Sequence, residues 1–405
     1  MVKKVEFFWN TIASIIVSLL NAILLMFCTR INGIEIAGMF SIAFATSLIL
    51  NGIGDYGIRI FQVTDTTRKY KFGEYIVLRI VVVAIMLCIG IAFVVITGYE
   101  LEKMLICIIL ILFRVVDNLS ETYQGELQLQ GRLDLAAMSV VIRNIIAIIS
   151  FLIADLITKN VIIATIALFT GNTLLFVMFD LQIIKKYNKE RPIFNKKSIL
   201  LLLKECFPVC LSTILSLYIT NSVKYAIDMY GDYNMQTFYN IIYLPTFTIN
   251  LASLFVIKPM LKTFGEYWNN KKIKDLTIKI LQVIGLIVIV TFIVELICMF
   301  VAIPILKVLY GVELEPYKMD LIILVLSGGF YAISILMLYI STAIRKQKLT
   351  TLVYLIVTVL AFITTKIFVE NYGMRGATIS NDIITFVLAV LLSSIYVKQV
   401  FKQNK

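Results

Sequence analysis

Long unbroken apolar runs dominate the chain, parted by short clusters of charge. A membrane-spanning helix needs roughly 20 consecutive apolar residues. Runs of about that length fall near 7–29, 36–60, 75–97, 104–123, 135–157, 161–182, 199–224, 235–257, 276–302, 319–343, 350–369 and 376–397. The pattern predicts an all-α integral membrane protein with about twelve transmembrane helices. Gly52, Gly54 and Gly57 predict unwinding at the end of the second span, and polarity rises early in the fourth. The first run is as long as a span needs and no small-residue cleavage site follows it, so it reads as a span rather than a cleavable signal.

Composition supports the same class. Of 405 residues, 60% are hydrophobic and only 15% charged, against about 25% charged in soluble domains. So little polar material cannot clothe an aqueous surface, and lipid must be the outer solvent. The net charge of +12 would suit nucleic acid if the cations formed one face, but they collect at span ends. The six cysteines lie within apolar runs and read as small hydrophobes. The sequence has no histidine, the commonest metal ligand, and no Gly-rich nucleotide loop. No cofactor, metal or nucleic acid is therefore expected, and any movement of cargo must draw on an ion gradient, a substrate gradient or the membrane potential.

The placement of Lys and Arg sets the orientation. With Met1 inside, the inward connections carry Lys3 and Lys4, then Arg68, Lys69 and Lys71, then Arg132, then the basic segment 185–198. In the second half they carry Lys258, Lys262, Lys271, Lys272 and Lys274, then Arg345, Lys346 and Lys348, then Lys398, Lys402 and Lys405. Outward connections hold far fewer cations, which predicts an even number of spans and both termini in the cytoplasm. The segment "KKYNKERPIFNKKS" divides the chain into an N-terminal lobe (1–184), a basic cytoplasmic linker (185–198) and a C-terminal lobe (199–405), with six spans on each side. That is the parallel-repeat plan of some transporters. "GMFSIAFA" (38–45) is weakly echoed by "QTFYNIIYL" (236–244), and no proline precedes the divide, with Pro208 and Pro245 placed to bend spans.

Candidate chemistry lies inside the spans, where an ionisable residue marks a functional site by default. In "CIILILFRVVDNLSETYQGE" (107–126), Arg114, Asp117 and Glu121 share one helical stripe. At about 1.5 Å per residue, Arg114 lies roughly 16 Å below the boundary near Lys103, close to the midplane. It either pairs locally with Asp117 to brace packing or lines a substrate path. Arg143 is a second deep cation, with no acid close by in its own helix, and either lines the path or pairs with Asp117. Lys224 closes a polar row with Ser212, Ser216 and Thr220, spaced by four; Asn10, Ser14, Ser18 and Asn21 form a similar row on the first span. These rows either offer hydrogen bonds to a polar cargo or join helices. Asp117, Glu295 and Asp382 are the candidates for ion coupling or charge pairing, whereas Arg59, Arg79 and Lys204 are expected to snorkel to headgroups, with Asp180 equally marginal.

Ordered landmarks along the chain resemble a known family. In "LLMFCTRINGIEIAGMFSIAFATSLILNGIGDYGI", residues Thr29, Arg30, Gly33, Glu35, Gly38, Phe40 and Ser41 are similar to the opening of polysaccharide flippases of the multidrug/oligosaccharidyl-lipid/polysaccharide (MOP) exporter superfamily. Lys224, Tyr225, Ile227 and Asp228 resemble the stretch that opens that family's second half, and "ILKVLYG" (305–311) and "YGMRGATISNDI" (372–383) look like further landmarks. The resemblance implies a MOP/MATE-like pair of six-helix lobes around a V-shaped cleft in the cytoplasmic membrane of a prokaryote. It implies no enzyme activity. The implied cargo is a polyprenyl-diphosphate-linked oligosaccharide, flipped by alternating access, with membrane lipids and other polysaccharide-assembly proteins as partners. A diphosphate needs protected cations, and Arg114, Arg143 and Lys224 are the deepest in the chain. The alternatives are an ion-coupled multidrug exporter of the same superfamily, which calls for cleft carboxylates, and a membrane-embedded glycosyltransferase or polymerase, which calls for a large external loop.

Overall fold

A long apolar run in lipid has only itself to satisfy its backbone, so helices are forced. A computed structural model gives the fold: it describes residues 2–65 and 68–403, and of these the side chains of residues 2–4, 64, 255, 258, 259, 261, 262, 402 and 403 are outside the description. Lys3, Lys4, Lys258, Pro259, Lys262, Lys402 and Lys405 of the sequence pattern thus lie outside the described residues. Every regular element among the described residues is helical.

Helices α1 (Val2–Asn32), α2 (Ile34–Asp55), α3 (Ile58–Thr64), α4 (Phe72–Ile96), α5 (Leu101–Leu129), α6 (Leu133–Thr158), α7 (Val161–Leu175) and α8 (Leu181–Tyr187) precede the basic segment. A π-helical turn, Phe176–Asp180, joins α7 to α8. There follow α9 (Lys196–Tyr230), α10 (Tyr233–Ile242), α11 (Leu244–Asn269), α12 (Ile273–Ile297), α13 (Ile303–Tyr310), α14 (Lys318–Ala343) and α15 (Gln347–Gln403). Among the described residues, nine helices are long and apolar enough to cross a membrane. The fourth and eighth predicted spans are helical as well, in α5 and in α10–α11, though neither is among those nine. In α5 the charged stripe lowers the apolar content. The last two predicted spans form α15, interrupted at Gly373 (φ 55°, ψ −131°), a backbone that glycine adopts without strain. The chain therefore has the predicted class: an all-α, multi-pass membrane protein.

The second span unwinds where its glycines predict. Helix α2 stops at Asp55, Tyr56 and Gly57 are left-handed, and α3 resumes at Ile58. Pro208 lies inside α9, which continues through it. Pro245 falls in the first turn of α11, where its missing N–H is one the helix leaves unbonded anyway. Cys88 faces outward from α4, unlike the other cysteines, which are buried.

The chain divides into two compact units, 1–217 and 218–405, with the division inside α9. In unit 1, α5 packs on α2, α4, α6 and α7 and so occupies the middle. In unit 2 the corresponding place belongs to α14, which packs on α11, α12 and α15. Gly328 and Gly329 of α14 serve close packing: a Cβ at Gly329 would sit 2.6 Å from the Thr291 hydroxyl of α12. The lipid-facing sides carry the exposed Ile and Val of α4 and the exposed Ile, Val, Leu and Phe of α12. The central helices instead carry the polar stripes, which decides where the site lies.

Candidate functional site

The stripe on α5 gathers four ionisable groups in unit 1. The Asp117 carboxylate receives Arg114 Nη1 at 3.2 Å on one oxygen. On the other it receives Arg143 Nη2 from α6 and Asn172 Nδ2 from α7, the latter at 3.1 Å. Arg143 donates in addition from Nε to Asn172 Oδ1 at 2.8 Å and from Nη1 to Asp180 Oδ2 at 3.1 Å. Asp180 also accepts from the hydroxyls of Ser120 and Ser139. Arg114, Arg143, Asp117 and Asp180 thus form a charge-balanced cluster.

Position along the helices explains the meeting. Ser139 and Arg143 are four apart on α6 and share a face. Asn172 and Asp180 are eight apart, and the extra residue of the π-helical turn rotates Asp180 inward. Asp180 is not marginal at the membrane edge: its side chain is 2% exposed. A buried carboxylate requires such partners, because an unpaired charge in low dielectric is costly.

Arg114 and Arg143 differ in their spare capacity. Arg143 donates from every nitrogen of its guanidinium. Arg114 is buried too, but its Nε has no partner, and its guanidinium lies 4.8 Å from the Phe44 ring centroid and 5.2 Å from that of Phe113. Aromatic faces hold a cation without consuming its donors. Arg114 therefore keeps hydrogen-bonding capacity for a further acceptor, whereas Arg143 serves as the bracket that fixes Asp117.

Arg79 departs from the expectation set by its nearness to the span end. Arg79 does not snorkel. It is fully buried and points inward, donating to Thr122 Oγ1 at 2.9 Å, to Asn118 Oδ1 at 3.1 Å and to the carbonyls of Gly54 and Asp55. Those carbonyls end α2, where the helix leaves acceptors unsatisfied and a cation is favoured. Asn118 continues the network to Asn51 Oδ1 at 2.7 Å. Arg59 reaches Gln124 at 3.2 Å, and Lys204 is exposed.

The hydroxyl rows are engaged mainly with their own helices. Ser14 and Ser18 donate to the carbonyls of Asn10 and Ser14, and Ser212 to that of Pro208. A hydroxyl that donates in this way can still accept, as at Ser14 and Ser18. Asn21 has a buried Oδ1 with no partner, and Asn221 donates to the Thr220 hydroxyl at 3.3 Å. Ser216 is half-buried on the same helix.

In unit 2, Lys224 is 7% exposed and makes no ion pair or hydrogen bond among the described residues. Asp382 has a buried Oδ1 without a partner, and Glu295 lies near enough to act on it electrostatically. Asp320 on α14 holds Arg375 at 3.4 Å and accepts from Thr378 at 3.1 Å, and Asn381 donates to Ser327 at 2.7 Å. Asp180, Asn172, Ser120, Ser139 and Arg79 are the members that sequence reasoning missed. Only the spacing of Ser139 with Arg143 could have signalled one of them.

Comparison with known proteins places the fold. No family model matches the chain, and no curated protein matches it. Solved structures do. An inward-facing multidrug resistance MATE family transporter of the MOP superfamily aligns with a TM-score of 0.73 and 15% identity, over 97% of this chain and 95% of that one. The lipid II flippase MurJ, in an inward closed conformation, aligns with a TM-score of 0.70 and 17% identity, over 95% of this chain and 86% of that one. The Vibrio cholerae MATE transporter VcmN in its bent form gives 0.62 and 14% identity over 100% of this chain and 98% of that one. At such identities the likeness establishes the fold: this chain has the fold of MOP-superfamily transporters.

Proposed function

We propose that the chain is a flippase that moves a polyprenyl-diphosphate-linked oligosaccharide from the inner to the outer leaflet of a prokaryotic cytoplasmic membrane by alternating access, supplying surface polysaccharide biosynthesis. It acts as a transporter rather than an enzyme. The observation that carries the proposal is Arg114: a buried arginine on the central helix of unit 1, held by aromatic faces and by Asp117, with one donor unused. A diphosphate offers the acceptors that such a guanidinium lacks. Arg143 is assigned to fixing Asp117, and Lys224 to the second buried cation. The rows Asn10, Ser14, Ser18, Asn21 and Ser212, Ser216, Thr220 are assigned to the glycan. The solved neighbour named as a lipid II flippase supports a lipid-linked cargo.

Deletion of the gene followed by lipid extraction tests this. Complete lipid-linked repeat units should accumulate on the inner leaflet, and Arg114→Ala should reproduce that loss at normal protein level. Normal surface glycan in the deletion strain would remove the proposal.

One observation favours the rival reading, an ion-coupled multidrug exporter. The unpartnered Asp382 carboxylate oxygen, with Glu295 beside it, suits a cationic cargo or a coupling ion. Altered dye efflux in the same deletion strain, with glycan intact, would select it.

A further inference from the structure

The basic segment between α8 and α9 is strapped to unit 1 rather than hanging as a tether. The Glu190 carboxylate accepts the Gly73 N–H at 3.2 Å, and the Ile193 N–H donates to the Gly73 carbonyl at 3.0 Å. Asn188 donates to Glu126 at 3.0 Å, and Tyr187 meets Arg132. A Cβ at Gly73 would stand 2.1 Å from the Arg191 carbonyl oxygen, so the contact depends on glycine there. The strap runs between two apolar spans, Val161–Tyr187 and Lys196–Tyr230, and so lies at the membrane edge.

Pinning sorts the charges. Glu190 is the only acid between 185 and 197, so the segment keeps a large positive excess even with its carboxylate held at the Gly73 N–H. Lys185, Lys186, Lys189, Arg191, Lys196 and Lys197 are all exposed and, among the described residues, unpaired. Of the neighbouring cations on the same side, three are matched: Arg68 by Glu126, Lys69 by Glu205 and Arg132 by Asp134. Amid the unmatched cations stands Phe194, 75% exposed.

We propose that the segment from Lys185 to Lys197 is a docking surface for the anionic phospholipid headgroups of the adjoining leaflet, with Phe194 entering the interface between them. Cations beside a span attract anionic lipid at short range, and an aromatic ring set among them gains by leaving water for the acyl boundary. A fixed array presents all its charges at once, which a floppy tether does not.

The test uses the full chain purified in a neutral detergent, titrated with phosphatidylglycerol or phosphatidylcholine while its melting temperature is followed. Phosphatidylglycerol alone should raise the Tm of the wild type, and salt near 0.5 M should remove the rise, because exposed charges are then screened. The variant Lys189→Gln/Arg191→Gln/Lys196→Gln/Lys197→Gln should bind phosphatidylglycerol at least about tenfold more weakly, since each cation near a charged leaflet contributes roughly fivefold. Lys69→Gln, which removes a cation already matched by Glu205, should titrate as wild type. Phe194→Ser should weaken the effect with every charge in place, and it carries the test if the quadruple variant does not fold. A quadruple variant that titrates as wild type overturns the surface. So does an equal rise with phosphatidylcholine or with inorganic phosphate. An unchanged Phe194→Ser overturns the insertion.

Discussion

Arg143 on α6 meets Asp180 at 3.1 Å, with side chains only 3% and 2% exposed, so the pair is closed to solvent on both sides. Bracing of this kind is expensive to break and easier to replace. Asp180→Asn leaves Arg143 with half its compensation and should cost about 3 kcal/mol or more. The double variant Arg143→Met/Asp180→Leu removes one charge of each sign, leaving Asp117 matched by Arg114. Thermal melting in detergent should show a lower Tm for the single variant and substantial recovery for the double. Equal melting of the two would deny the charge-balance account.

Arg79 should behave as a structural clamp rather than a headgroup contact. Arg79→Met strips donors from the Gly54 and Asp55 carbonyls, and each buried acceptor left alone costs about 1–3 kcal/mol. A large fall in folded yield is expected. Arg79→Lys should fall between, because an ammonium cannot reproduce the fork. A snorkelling arginine would tolerate both changes.

Gly54 should resist even a methyl group. Its Cβ would lie 2.6 Å from Asn118 Nδ2 and 2.7 Å from Met86 Sδ. Overpacking of that sort costs about 1–3 kcal/mol. Gly265→Ala, where no atom lies within 4 Å of the new carbon, serves as the comparison and should be neutral or mildly stabilising. Melting of the two variants side by side decides the matter.

Gly73→Ala should release the strap, since its Cβ would fall 2.1 Å from the Arg191 carbonyl. Limited trypsin digestion is expected to cut after Lys189 sooner than in the wild type. Unchanged digestion would mean that the strap holds without Gly73.

Much of this architecture was legible because lipid makes one demand on every span. Apolar run length found the helices, glycine clustering found the break after α2, and the stripe on α5 found Arg114 and Asp117. Depth alone misled at Arg79 and Asp180. Both lie toward span ends in sequence, yet both turn inward, one to the carbonyls that end α2 and the other through a π-helical turn. Nothing in a linear pattern reports a single extra residue in a helical turn, or which carbonyls a neighbouring helix leaves unbonded. The polar rows on α1 and α9 were visible as spacing, but that their hydroxyls donate to their own helices depends on rotamers that spacing does not set.

The balanced cluster also bears on how the polypeptide is made. Helix α5 reaches the bilayer with Arg114 and Asp117 already opposed, but α6 delivers Arg143 some 37 residues before its second acid, Asp180, is synthesised. During that interval the nascent segment leans on a carboxylate already claimed by another arginine. Completion of the sixth predicted span relieves the shortfall, so the π-helical turn that carries Asp180 is the last part of the cluster to be made.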